Sequence, residues 1–205
     1  MGEDIYMYAE RRCEGQWRLL GPLIQNPGYS PGEDPLSQPY KPVGIYTTRR
    51  YELFDILANV RHLRDHPYES IANLRGLPDG ASPEIVVWRS GFGDYAHNAS
   101  WLTLCELLAF DWYGKTHQLE CWVDERIAHL FAPDRPFPHC PPGMSVDEFN
   151  SCLVYTGANQ HQYTNVRWMG TYAEAAGPEF MQEVLDKLQE AGDPDDVRIV
   201  FWFAF

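Results

Sequence analysis

Basic side chains are scarce in this chain, where 16 Lys and Arg face 29 Asp and Glu and the formal net charge is −13. Nonspecific nucleic-acid binding depends on clustered Lys and Arg, so this balance argues against it. The acids concentrate in residues 174–196, where eight carboxylates accompany one base, Lys187. In residues 49–89, six Arg balance six acids, and we expect an anionic ligand to bind near that stretch.

Long apolar runs and regular cysteine spacing are also lacking. No run approaches the roughly 20 residues that cross a bilayer, and the first ten residues lack the charged and apolar segments of a secretory signal. The cysteines are odd in number and include no CxxC pair, so neither a disulfide framework nor a zinc knuckle is expected. We predict a soluble, cytoplasmic protein with no membrane partner and with five free thiols: Cys13, Cys105, Cys121, Cys140 and Cys152.

The N-terminal residues predict a β-hairpin. At 205 residues, with 44% apolar side chains, the chain is long enough for a substantial core, and we predict one domain over residues 1–205. Alternation predicts a strand over residues 3–12, and a Glu14-Gly15 turn leads to a second strand over residues 16–20. The first strand divides its side chains between two faces, with Ile5, Met7 and Ala9 on one and Tyr6 and Tyr8 on the other.

Helical spacing and capping signals predict the remaining elements. Helices are expected over residues 50–63, 100–110, 125–130, 146–153 and 179–191, and from Ser82-Pro83 onward. Ser100 and Asp124 are the expected N-caps of the second and third of these ranges, and the Ser145–Glu148 capping box begins the fourth. Pro178 precedes the last helix and Gly192 ends it. Strands are expected over residues 119–123, 163–169 and 197–203. The last, VRIVFWF, is apolar on both faces, as is typical of a central strand.

These elements predict an α+β fold. The sheet is mainly antiparallel, is built from the N-terminal hairpin and the C-terminal central strand, and is covered by helices. Two stretches, residues 21–44 and 132–143, hold six and five prolines and predict long Pro/Gly-rich loops. Residues 21–44 would form either a lid over a binding site or a surface loop with no role in binding. Because the terminal strand carries so much apolar area, we expect its removal to unfold the protein.

Six segments resemble, in order, the motifs of one protein family. GEDIYMYAE is similar to a GxDIHxYxE start, RRYELFDILANVR to an arginine–aromatic helix, and RGLPDGASPE to an RGLPxDxSPE turn. HNASWLTLCELLAFDW is similar to HSxSWLTLxELLAxDW, VRWMGTYAEAAG to VxWxxTYxEAA, and DPDDVRIVFWFAF to a DVRIVFWFDN C-terminus. The family is an uncharacterised group found in phages and bacteria, with no established activity. The resemblance therefore implies a phage setting and a set of positions, and no reaction.

Two departures from the family pattern bear on chemistry. Tyr6 stands where the pattern has His in the first strand, and Ala204-Phe205 replaces the terminal Asp-Asn. A metal or catalytic centre that used those groups would lack them in this chain. A binding role is more compatible with these replacements than a reaction is.

Aromatic side chains interleaved with arginine form the candidate binding set. Planar rings stack on bases, and guanidinium groups bind phosphate in a bidentate manner. Helix N-termini near Arg50 and Ser100 would add backbone donors. The candidate ligand-binding residues are Arg49, Arg50, Tyr51, Arg75, Trp88, Arg89, His97, Asn98, Trp101, Tyr6 and Tyr8. The alternative is that these rings belong to the core and its rim.

A candidate metal site combines two acids of the first strand with a histidine. Asp4 and Glu10 share a strand face, and next to His97 they would form a carboxylate–imidazole site for a divalent metal or for acid–base chemistry. The alternative is a solvent-facing strand surface. Ser100 and Cys105 are explained by helix capping and by the helix core, so no catalytic nucleophile is predicted.

Three functions follow from these sets. The first is a binding protein for a small anionic, nucleotide-like ligand, acting in a phage setting as a sponge that sequesters a host immune signalling molecule in the host cytoplasm. The second is an acidic inhibitor whose helix, residues 179–190, docks on a basic host defence protein. The third is a metal-dependent hydrolase that uses Asp4, Glu10 and His97. We rank the binding protein first and favour a protein that is not an enzyme.

Overall fold

The computed structural model of the chain describes residues 4–32, 38–60, 68–153 and 162–204. They form an α+β fold with antiparallel sheets, as the sequence predicts. The chain divides into two compact units, residues 1–110 with 176–205 and residues 111–175. A single domain over residues 1–205 stays a prediction.

The first unit contains most of the secondary structure. In chain order its elements are β1 (Asp4–Cys13), β2 (Gln16–Leu20), β3 (Leu23–Gln25), β4 (Tyr40–Pro42), α1 (Tyr51–Ala58), α2 (Pro83–Ser90), β5 (Ala96–Thr103), α3 (Leu104–Ala109), a π-helical segment (Glu179–Val184), α7 (Leu185–Ala191) and β8 (Val197–Ala204). A four-stranded antiparallel sheet follows the order β2-β1-β8-β5. All eight residues of β8 are buried, so the predicted central strand is confirmed.

The N-terminal hairpin follows the predicted pattern. Cys13 pairs with Gln16, and the two-residue turn between them places Glu14 at φ 53° and Gly15 at φ 78°. Positive φ at both central positions matches the right-handed twist of the strands that they join. β1 pairs with β8 along nearly its whole length, from Asp4 opposite Ala204 to Arg11 opposite Val197.

Helices cover both faces of this sheet. One face carries Met7 and Phe203, and the Phe54 ring of α1 lies 5.0 Å from the Phe203 ring. The opposite face carries Tyr8 and Trp202, which pack in one cluster with Ile85 of α2. The alternation expected from the sequence therefore divides β1 between two cores.

Three sequence predictions for the first unit need correction. Residues 100–103 are strand, because they pair with β8, and α3 begins at Leu104. Its cap is Thr103, whose Oγ1 accepts the Glu106 N–H while the Glu106 carboxylate accepts the Thr103 N–H. Residues 21–44 contain the β3–β4 ribbon (residues 23–25 and 40–42), and residues 33–37 lie outside the described part. The predicted helix over 179–191 begins as a π-helical segment.

Helices α1 and α2 both occur in segments that the sequence predicts to be helical. Helix α1 ends at Ala58 and is followed by Asn59, which adopts a left-handed conformation at φ 57°, so the helix is shorter than the predicted 50–63. Residues 61–63 of that prediction lie outside the described residues. Helix α2 begins at Pro83 after Ser82, as predicted.

The second unit is a two-stranded sheet with short helices. β6 (Thr116–Asp124) pairs with β7 (Tyr163–Thr171), α4 (Glu125–Ala128) and α5 (Val146–Cys152) lie between them in sequence, and α6 (Tyr172–Ala176) follows β7 across the boundary to the first unit. Asp124 accepts the Arg126 N–H at 2.9 Å, and Ser145 Oγ accepts the Glu148 N–H at 3.1 Å. Both predicted caps are confirmed.

Candidate functional site

A cleft of about 410 Å³ lies in the first unit between the start of β1, the β3–β4 ribbon and α2. Its volume falls in the range of small-molecule sites. The walls carry four aromatic residues, four aliphatic residues and two charged residues, namely Tyr6, Tyr8, Tyr46 and Trp88; Ile5, Ile24, Pro42 and Val43; and Asp4 and Lys41. An apolar cleft with a few polar groups is the usual form of a ligand site.

The ribbon forms one wall of the cleft because of its register. Ile24 pairs with Lys41, so the two side chains share one face of the ribbon, and both line the cleft. After the ribbon the chain returns to β1, where the Ile45 N–H donates to the Met7 carbonyl oxygen at 2.9 Å. A Cβ at Gly44 would lie 3.3 Å from that oxygen, so glycine permits this close approach.

The aromatic wall is held in place by ring contacts. Tyr6 is nearly parallel to Trp202, with centroids 6.1 Å apart and an angle of 7°, and it meets Phe92 edge-on at 4.6 Å. Trp88 meets the same Phe92 ring edge-on at 5.5 Å. The Trp88 Nε1–H donates to the Tyr8 hydroxyl at 2.7 Å. These contacts fix the rings before a ligand binds, which lowers the entropy cost of stacking.

Tyrosine hydroxyls in the cleft keep their protons at neutral pH. Burial and the charge of Asp4 raise the pKa of Tyr6, and burial raises the pKa of Tyr8 far above its usual range and that of Tyr46 to about 12. The Tyr8 hydroxyl accepts from Trp88, and within the described chain its own proton has no acceptor. The buried Tyr46 hydroxyl has no hydrogen-bond partner there either. The Tyr8 hydroxyl is suited to donate to a bound acceptor, whereas the Tyr46 hydroxyl oxygen is buried and does not reach the cleft surface.

Two cations of the cleft region differ in their pairing. Arg49 Nε donates to Asp4 Oδ1 at 2.9 Å, and this hydrogen bond raises the pKa of Arg49. Lys41, in contrast, has no ion-pair partner among the residues that the structure describes. The ammonium of Lys41 is therefore the charge most readily available to an anionic ligand.

The structure brings together only part of the binding set predicted from the sequence. Tyr6, Tyr8 and Trp88 line the cleft, and Arg49 adjoins it through Asp4. Sequence reasoning missed Lys41 and Tyr46, which lie in or just after a predicted loop. No local signal identifies either residue, because the pairing of two distant segments places Lys41 at the cleft.

Arg89, His97 and Asn98 lie elsewhere, near the start of β5. The Arg89 guanidinium donates to the Ala96 carbonyl at 2.6 Å, and His97 Nδ1 lies 3.2 Å from the Tyr95 carbonyl oxygen. The β5–β8 register shifts between His97 and Ser100, and Asn98 has φ 51° in this bulge. Arg50 and Tyr51 stand at the start of α1, where Tyr51 packs edge-on against Phe54. None of these five candidate residues is among the residues lining the cleft.

Arg75 and Trp101 belong to a second cluster, an alternating stack of arginine and tryptophan. The order is Arg12, Trp17, Arg198, Trp101, Arg75, with guanidinium-to-ring distances of 5.6, 3.9, 5.7 and 4.8 Å. Each arginine is paired with one acid, respectively Asp196, Glu10 and Glu106. The acids balance these charges, so the stack ties strands together and is less suited to hold an anion.

Glu10 and Arg198 form the buried centre of this stack. Glu10 is 0% exposed and Arg198 is 3% exposed. Arg198 Nε donates to Glu10 Oε2 at 2.7 Å, and the Ser82 N–H donates to Glu10 Oε1 at 2.5 Å. Because Ser82 directly precedes α2, Glu10 attaches the start of that helix to the sheet. The same helix carries Trp88 to the cleft, so the buried pair supports the candidate site.

The predicted metal set is not brought together. Asp4 is paired with Arg49, Glu10 is paired with Arg198, and six positions of strand separate the two acids by about 20 Å. Glu10 does not face solvent, because α2 covers its side of the sheet. Over the described ranges, no group of three or more His, Cys, Asp or Glu is arranged to hold a metal ion.

Comparison of the chain with protein-family models, with curated proteins and with solved structures gave no match. Within the part of the chain that the structure describes, no helix is both long and apolar enough to cross a bilayer.

Proposed function

We propose that the protein binds a small planar ligand with an anionic group, a nucleotide-like molecule, in the cleft beside Tyr6 and Trp88. The observation that carries this proposal is the presence, in one cleft of about 410 Å³, of fixed aromatic rings and of the Lys41 ammonium, which has no ion-pair partner among the described residues. A planar ring stacks on Tyr6 or Trp88, and its phosphate or carboxylate approaches Lys41. The hydroxyl of Tyr8 is available to donate a hydrogen bond.

Binding without turnover is the form of this function that the lining favours. Among the described residues of the cleft wall, Asp4 is the one carboxylate, and it is occupied by Arg49. General acid–base catalysis uses a titratable group within hydrogen-bond reach of the reacting atoms, in most enzymes a histidine or a second carboxylate. The wall supplies rings, a cation and hydroxyls, which are groups that recognise a ligand.

In a phage setting this activity gives a sponge that sequesters a host immune signalling molecule. Such a protein works in the cytoplasm of the host, where the signal is made, and it needs tight binding more than chemistry. The resemblance to the phage and bacterial family supports this part of the proposal. Docking on a host protein through residues 179–190, and hydrolysis by Asp4, Glu10 and His97, stay predictions.

The proposal is tested by calorimetric titration of the full chain with 5′-mononucleotides, cyclic mononucleotides, cyclic dinucleotides and the corresponding uncharged nucleosides. We expect at least one nucleotide to bind more tightly than its nucleoside. Lys41→Met is expected to weaken the binding of that nucleotide by about tenfold, the value of one charge-assisted hydrogen bond, and to leave the affinity for the nucleoside unchanged. If no member of the panel binds, or if the variant binds the nucleotide as tightly as the wild type, the proposal is wrong.

A second variant at the same site should change affinity in the opposite direction. Asp4→Asn removes a negative charge from the cleft wall and frees the Arg49 guanidinium. We expect the nucleotide to bind about two- to fivefold more tightly, since exposed ion pairs contribute up to about 1 kcal/mol. Asp134→Asn, an equal charge change at an exposed position in the second unit, is the matched control and should leave the affinity unchanged. Equal tightening in both variants would show that only net charge matters.

A further inference from the structure

We infer that the first unit binds an aliphatic carboxylate of about eight to ten carbons in a second pocket, between the β1–β2 hairpin and α7. The pocket has a volume of about 240 Å³ and is separate from the cleft, since the two share no lining residue. Leu20 and Ile45 form one side, and Val184 and Leu188 form the other. Lys187 is the one charged residue among the described residues of the lining.

The apolar lining points to a hydrocarbon chain. Apart from Lys187, the described lining consists of aliphatic side chains and Gly21. A pocket lined in this way exposes apolar surface to water, and a hydrocarbon chain that covers this surface is bound favourably. A dry cavity of about 150 Å³ binds benzene, which has six carbons, so about 240 Å³ corresponds by proportion to about eight to ten carbons.

The lysine at the pocket specifies the head group. Residues 174–196 contain eight carboxylates and Lys187 as the one base. Despite these acids, Lys187 is exposed and has no ion-pair partner within the described chain. A lysine that packs its methylene stem along an apolar wall keeps its ammonium at the water boundary. That position suits the carboxylate of an aliphatic acid whose chain fills the pocket.

The local helix geometry provides a second, independent observation. Val184, Lys187, Leu188 and Ala191 stand at helical spacings of three and four residues, so they share one face of the helix, and all four line the pocket. Val184 is also the last residue of the π-helical segment, directly before α7. Such segments are rare and are frequent at functional sites.

The test is calorimetric titration of the full chain with sodium octanoate and with 1-octanol, which has the same chain and no charge. We expect octanoate to bind, and we expect Lys187→Met to lower the affinity for octanoate roughly fivefold, the upper value for an exposed ion pair. Octanol affinity should not change in this variant. Arg167→Gln removes an equal charge from the second unit and should leave both affinities as they are.

A variant that fills the pocket shows whether the probes bind inside it or elsewhere on the surface. Ala191→Leu places a larger side chain in the pocket from the end of α7, and it should abolish binding of both probes while the far-ultraviolet circular dichroism stays that of the wild type. If that variant fails to fold, Ala191→Val, a smaller enlargement at the same position, should still weaken the binding of both probes. Absence of octanoate binding, or an octanoate affinity insensitive to Lys187→Met, overturns the inference. Nucleotide binding at the cleft is unaffected by any of these outcomes.

Discussion

Glu10→Leu is expected to lower the free energy of unfolding by about 3–5 kcal/mol, because it leaves the buried guanidinium of Arg198 without its partner. The loss also removes the acceptor of the Ser82 N–H, so the start of α2 loses its attachment to the sheet. Urea denaturation followed by circular dichroism measures the change. An effect below about 1 kcal/mol, the usual value of an exposed pair, would show that Glu10 and Arg198 are not buried against each other.

The double variant Glu10→Leu/Arg198→Met is the control for this prediction. Buried ion pairs that are replaced by apolar residues of similar size often keep their stability, whereas a single uncompensated charge does not. We therefore expect the double variant to be more stable than Glu10→Leu alone, although it loses the contacts of the guanidinium with Trp17 and Trp101. If the loss of unfolding free energy in the double variant equals the sum of the losses in Glu10→Leu and in Arg198→Met, the two residues are not coupled.

Trp88→Ala is expected to weaken nucleotide binding by about 5- to 150-fold, because stacking of one base on an aromatic side chain contributes about 1–3 kcal/mol. The variant also removes the donor to the Tyr8 hydroxyl. Trp88→Phe keeps a ring and should retain most of the affinity. Titration of both variants with the tightest nucleotide of the panel gives the comparison.

The control for Trp88→Ala is a tryptophan outside the cleft. Trp122 lies on β6 in the second unit and is 48% exposed. Trp122→Ala should leave nucleotide affinity unchanged, and chemical denaturation of each variant separates loss of binding from loss of fold. Equal losses at Trp88 and Trp122 would show that the binding site is not the cleft.

Local signals explain what the sequence predicts correctly. The β1–β2 turn needs two residues at positive φ, and Glu14-Gly15 occurs between alternating strands. Asp124 and Ser145 are polar caps directly before helices. Strand β8 is apolar on both faces because helices cover both faces of the sheet. Each of these features depends on neighbouring residues, which the sequence displays directly.

Residues 100–103 show where such signals fail. Apolar residues at helical spacing continue from Trp101 into α3, but pairing with β8 makes Ser100 to Thr103 a strand. The Thr103-x-x-Glu106 capping box marks the start of the helix and indicates it better than the spacing of the apolar residues does. Tertiary pairing overrides helical periodicity in this segment.

The candidate site depends even more on distant segments. Lys41 reaches the cleft because residues 23–25 pair with residues 40–42, and Glu10 is buried because α2 folds over its face of the sheet. The sequence predicts Tyr6, Tyr8 and Trp88 as binding residues because aromatic residues near arginine are typical of nucleotide binding, and all three line the cleft. The sequence could not show that Arg75 and Trp101 belong to a separate stack.

The most direct test of nucleotide-like ligand binding is native mass spectrometry of the full chain purified from cells, compared with its denatured mass and with the Lys41→Met variant. We predict an excess mass of nucleotide size in the native spectrum, its loss on denaturation, and a smaller liganded fraction in the variant. The released compound can then be identified. A native mass equal to the denatured mass, both as purified and after incubation with the nucleotide panel, would contradict the account.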